Sequence, residues 1–184
     1  MDSLWKTALW QQFGATIDML DNAMVACPSQ LWKEPLWRDQ TSQPLLPGFA
    51  EFWYIAYHTL FWLDLYLSGS QEDDFAPLAP FTRAELDPEG VLPERTYTKE
   101  ELRAYLATTR QKCHATLVSL TDEQARQTIS YPWTRGQPIN FLELQIYNMR
   151  HVQEHASQLN LFLGQNGVAE VTDWVARAKG DEDE

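Results

Sequence analysis

The chain has 184 residues, 44% of them apolar and 22% charged, enough for one domain with its own core and unlike the composition of a disordered chain. Its 14 basic and 26 acidic residues give a net charge of −12 with no clustered basic stripe. That balance excludes the phosphate-neutralising chemistry of nucleic-acid binding and disfavours anionic membrane surfaces, leaving small molecules and cations as the expected partners.

The first helix is expected from about Ser3, as N-cap, to Ala26, with Trp10, Phe13, Ile17, Leu20 and Met24 on one face at helical spacing. Pro28 ends it, and residues 28–47 form a proline-rich connection whose Trp32 and Trp37 pack onto the body. A second helix is expected from about Pro47 to Leu67, with Pro47 in its first turn and Ser68-Gly69 as its stop. The most hydrophobic stretch, Phe49 to Leu67, is interrupted by Glu51, His58 and Asp64, which makes it a buried core helix and not a membrane span. Residues 69–97 carry Pro77, Pro80, Pro88 and Pro93 and no periodic pattern.

Thr98-Lys99-Glu100-Glu101 is a capping box opening a third helix to about Leu120, with Leu102, Leu106, Cys113 and Leu117 inward. Thr121 starts a short helical turn, and Tyr131-Pro132-Trp133 with Gly136-Gln137-Pro138 marks a loop or short hairpin. The fourth long helix spans about Ile139 to Gly164; a short final helix is expected near Thr172–Ala178, ahead of the solvated acidic tail 181–184. No internal repeat or domain boundary is evident, so residues 1–180 are one domain: an all-α four-helix bundle with long crossover connections. Cys27 and Cys113 form no CxxC motif and suit free thiols, and Met1-Asp2-Ser3-Leu4-Trp5-Lys6 lacks a basic segment followed by an apolar run; both point to the cytoplasm.

Chemistry concentrates in three of the four histidines. His151 and His155 stand four apart, on one face of the last long helix, and His58 sits in the middle of the second. Three imidazoles from two helices can bind one metal ion and leave a coordination position open, as in catalytic zinc sites. Both helix stripes are mainly apolar and are expected to face the bundle interior, where three neutral imidazoles without a common partner would be costly to desolvate. His114 reads as an ordinary surface or core histidine. Glu154 reads as a solvated charge, and Asn148, Tyr57 and Asp64 are the candidates to orient the imidazoles through their second nitrogens. His151-Val152-Gln153-Glu154-His155 also matches the inverted zinc-protease string, whose third ligand lies well downstream; few residues follow His155, and the nearest acidic one is Glu170.

A histidine within the second helix, in Phe52-Trp53-Tyr54-Ile55-Ala56-Tyr57-His58-Thr59-Leu60-Phe61-Trp62-Leu63-Asp64, and the pair in Asn148-Met149-Arg150-His151-Val152-Gln153-Glu154-His155-Ala156-Ser157-Gln158-Leu159 resemble the DinB/YfiT-like superfamily over nearly the whole chain. The resemblance implies a four-helix bundle, often a homodimer, with a divalent transition metal on His58, His151 and His155; zinc or nickel is favoured, with iron or manganese as further options. Some relatives transfer low-molecular-weight thiols, for which a metal would stabilise the reactive thiolate. The expected function is a metal-dependent transferase or hydrolase acting on a small substrate, and the competing one a non-catalytic bundle that binds a metal or small ligand.

Overall fold

The computed structural model describes residues 3–37, 48–168 and 174–180, and the chain's four long helices lie within them. α1 (Ser3–Ala26), α2 (Phe52–Ser68), α3 (Lys99–Ser119) and α5 (Phe141–Gln165) form a bundle, joined by the short α4 (Asp122–Arg126) and a two-stranded hairpin of β1 (Thr128–Ile129) and β2 (Ile139–Asn140). Thr128 pairs with Asn140 and Ile129 with Ile139 in antiparallel register.

The main contacts are α1 with α3 and α5, and α2 with α3 and α5, so the consecutive helices α1 and α2 occupy opposite corners. The long connection between them is therefore a crossover, as expected. Trp10, Phe13, Ile17, Leu20 and Met24 are all buried along α1, and Leu102, Leu106, Cys113 and Leu117 along α3. α2 is apolar almost all round and is buried on nearly every side, as a central helix must be.

The local signals hold at several helix ends. Thr98 accepts from the Glu101 backbone while the Glu101 carboxylate takes the Thr98 N–H, closing the capping box, and Thr121 and Gln124 repeat the device at α4. Gly69 ends α2 in the left-handed conformation at φ 64°. α2 nevertheless starts at Phe52, later than the expected first turn at Pro47, which lies outside the described residues. The reason is tertiary: Leu36 N–H donates to Ala50 O and Phe52 N–H to Glu34 O, so residues 50–52 pair with the preceding connection instead of with a helix. Trp32 is buried, its indole donating to Tyr97 O, whereas Trp37 remains 38% exposed.

The expected helix near Thr172–Ala178 does not form over Trp174–Ala178; Thr172 and Asp173 lie outside the described residues. This segment lies along α1 as an irregular strap. Ala178 N–H donates to Gln11 O, and the Gln12 amide to Ala176 O, so neighbouring α1 supplies the hydrogen bonds a helix would have made internally. Lys179 N–H and the Arg110 guanidinium both reach the Asp18 carboxylate. No helix among the described residues is long and apolar enough to cross a membrane.

Candidate metal centre

The inner stripe of α5 runs through Leu144, Asn148, Val152, Ala156, Leu159 and Leu163. His151 and His155 lie beside that stripe and not on it; they are half-buried and face the seam between α5 and α2. His58 meets them there, its side chain 27% exposed on a helix otherwise almost wholly buried. The expectation of an interior site is corrected to a site at the bundle's edge. The packed residues one position along, Val152 and Ala156, take the core, and a shift of one residue turns a helical side chain by roughly 100°.

The three rings converge on their Nε2 atoms. His58 Nε2 is 3.3 Å from His151 Nε2, which is 3.1 Å from His155 Nε2. Nitrogens bound at roughly 2.0–2.1 Å around a tetrahedral ion stand roughly 3.3 Å apart, so this spacing is compatible with a metal site. These three residues are the group whose ligand atoms lie within 4.8 Å of one another among the described residues.

Outer nitrogens fix the orientation of two of the rings, while His151 Nδ1 is buried without a hydrogen-bond partner. His58 Nδ1 lies 2.7 Å from Glu85 Oε2, and the Trp62 indole donates to the same oxygen at 2.9 Å. His155 Nδ1 lies 2.8 Å from Gln158 Oε1, an acceptor one helical turn on. With a proton on each Nδ1 to satisfy these acceptors, the Nε2 lone pairs of His58 and His155 point into the cluster. Burial, then the neighbouring imidazoles His58 and His155, pushes the His151 pKa down to about 2, so that ring is neutral. Burial and His58 likewise lower His155. Burial opposes ionisation of Glu85, but the hydrogen bond and charge of His58, joined by Tyr54 and Trp62, outweigh it and hold the carboxyl below its usual range.

Glu85 is not among the expected site residues. It arrives from the irregular segment 69–97, on a short 3₁₀ turn over Ala84–Leu86, and its side chain is only 4% exposed. That turn is pinned by the Tyr57 hydroxyl donating to Thr82 O and by Arg83 donating to Glu72 O. The residues expected to orient the imidazoles are engaged elsewhere. Asp64 binds Lys112 and Tyr105, Tyr57 binds Thr82 O, and the Asn148 amide donates to Leu63 O. The only sequence signal for Glu85 was an acidic residue held between two apolar ones in a loop. Glu170 lies outside the described residues, and His114 packs at a tilt against Trp10 at 4.6 Å and is not part of the cluster.

The cluster opens onto a cleft of about 630 Å³ walled by Tyr54, Trp62, Tyr66, Trp133 and Tyr147, with the exposed Glu154 also on its lining. Glu154 therefore borders the site, where its charge acts on His155. A second hollow of about 390 Å³, between the end of α2, α3 and the hairpin, is lined by neutral residues such as Ser68, Thr116 and Gln124 and offers no titratable group. Cys27 and Cys113 are free and buried; burial pushes Cys27 up to about 12 and raises Cys113 too, which makes both poor nucleophiles.

A four-helix bundle with a histidine cluster at the seam of two facing helices is the architecture of bundle proteins that bind metals and cofactors between their helices. The chain belongs to the DinB superfamily, whose family model matches residues 12–159. Comparison with curated proteins and with solved structures finds no match.

Proposed function

We propose that this protein is a metal-dependent enzyme in which His58, His151 and His155 hold one divalent transition ion beside the cleft, for transfer or hydrolysis on a small substrate. The observation that carries this reading is the convergence of three imidazoles, His151 Nε2 standing 3.3 Å from that of His58 and 3.1 Å from that of His155, with the outer nitrogens of His58 and His155 engaged by acceptors. Zinc or nickel suits three imidazoles best, with iron or manganese as further options. Bound there, such an ion supplies Lewis acidity, which makes water or a thiol more acidic and polarises a carbonyl.

The chain's own residues do the rest. Glu85 and Gln158 keep the Nδ1 protons of His58 and His155 in place, so that both rings present Nε2 without reorganisation. The negative Glu85 also makes His58 a stronger donor. Tyr54 and Trp62 close over Glu85 and keep water from competing for it. The aromatic cleft positions a substrate body beside the Nε2 atoms and leaves one side of the cluster accessible, as catalysis requires.

Elemental analysis of tag-free protein tests the reading, run beside a His58→Ala/His155→Ala variant. The expected result is about one equivalent of transition metal per chain, lost in the variant. Protein that takes up no zinc, nickel or manganese even after incubation would sink it.

A further inference from the structure

Trp62, Tyr66 and Tyr147 form a connected wall leading away from the histidines. Trp62 lies 6.3 Å from His58 between ring centroids, Tyr66 is 5.4 Å from Trp62, and Tyr147 is 5.8 Å from Tyr66. Tyr147 stacks on Trp133 at 4.5 Å and 13°, and Trp133 is parallel to Tyr131 at 6°, so the far end of the wall is braced before any ligand arrives. Aromatic faces carry negative electrostatic potential and attract cations within about 6 Å of their centroids.

The charges nearby have one sign. Two carboxylates, Glu85 and Glu154, line the cleft, and no lysine or arginine does among the described residues. Elsewhere the chain covers aromatic faces with its own cations: Arg95 on Tyr97, Lys99 on Trp32 and Arg110 on Trp10. Among the described residues, none of the cleft's rings is covered in this way.

We infer that the substrate carries an organic cation, a quaternary or protonated amine, which the Trp62–Tyr66–Tyr147 wall binds while its reacting group points to the histidines. This deepens the proposed function by naming a substrate class. It separates the roles along the cleft: the cationic head lies at Tyr66 and Tyr147, a ring or more beyond the cluster, which limits its repulsion from an ion held there. The same lining disfavours anionic thiols, since it offers a carboxylate no basic side chain to pair with.

Isothermal titration calorimetry on chelator-treated protein tests the inference independently of the metal. Three probes of matched shape are used: choline, its uncharged isostere 3,3-dimethyl-1-butanol, and the anion 3,3-dimethylbutanoate. Choline is expected to bind about tenfold more tightly than the neutral isostere, and the anion more weakly than both. Tyr147→Leu should remove about tenfold of choline affinity, and Tyr147→Phe should restore it. Equal binding of cation and isostere, preference for the anion, no binding of any probe, or an unaffected Tyr147→Leu variant would each overturn the inference. Failure of the metal reading is recorded separately, as absent metal in elemental analysis.

Discussion

Helix α2 carries polar groups into two seams, and they are treated differently. On the α3 side, Asp64 accepts from Lys112 Nζ at 2.5 Å and from the Tyr105 hydroxyl at 2.8 Å, so each group finds its partner within the chain. On the α5 side, three imidazoles direct Nε2 at one another, and the chain's hydrogen bonds go to the outer nitrogens of two of them, His58 and His155. A buried polar group paired within the fold is structural. A cluster whose acceptors face each other is arranged for something to share them, and a carboxylate tucked behind one ring fixes the direction in which it points.

Breaking the first seam should cost the most stability. Asp64→Ala leaves Tyr105 buried without its acceptor and Lys112 without its counter-charge; since Lys112 is partly exposed, about 2–3 kcal/mol is expected. Urea unfolding should show this loss while metal content per folded chain stays at the wild-type level. A loss of metal equal to that of the histidine variant would erase the distinction between the seams.

Glu85→Gln is the counterpart on the α5 side. It keeps the size of the side chain but removes the charge that orients His58, and metal affinity should fall about 10–100-fold. Stability of the metal-free protein should change by less than in Asp64→Ala. Competition with a chromophoric chelator reads the affinity directly.

Gly14→Ala probes neither seam and serves as the control. A Cβ at Gly14 would stand 2.5 Å from Ala178 Cβ, so the C-terminal strap must shift or detach from α1, at about 1–2 kcal/mol. Limited proteolysis should then cut near 174–180 faster, with metal content unchanged.

The smallest effect is expected at the α3 cap. The Arg95 hydrogen bond, the Thr98 backbone N–H and the Arg95 charge pull Glu101 down to about 2 from 4.5. A carboxyl lowered in the folded state contributes stability above its unfolded pKa and loses it as pH falls through the folded one. Wild type should therefore lose this contribution between about pH 4.5 and 2. Glu101→Gln should flatten that part of the profile, and Thr98→Ala should cost about 1 kcal/mol at neutral pH. Denaturant titrations at several pH values measure both.

Much of the fold was legible from local pattern. The bounds of α1, the capping boxes at Thr98 and Thr121 and the stop at Gly69 rest on interactions within a few residues, which a linear sequence displays. The same holds for the pairing of His151 with His155, because four residues along a helix is a spatial relation already written in the chain. The strap at Trp174–Ala178 departs from the expected helix because its hydrogen bonds go to α1, more than 150 residues away.

By itself, then, the sequence determined four long helices, their apolar faces and three histidines able to meet. Only the tertiary structure decided that they meet at the bundle's edge, that Glu85 stands behind His58, and that the rings of α2, the hairpin loop and α5 close into one aromatic cleft. The physical reason is range. Helix periodicity and capping are settled by neighbours along the chain, whereas Glu85, 27 residues on from His58, returns to it along the irregular backbone that follows α2, whose path is set by packing, with no periodic signal of its own.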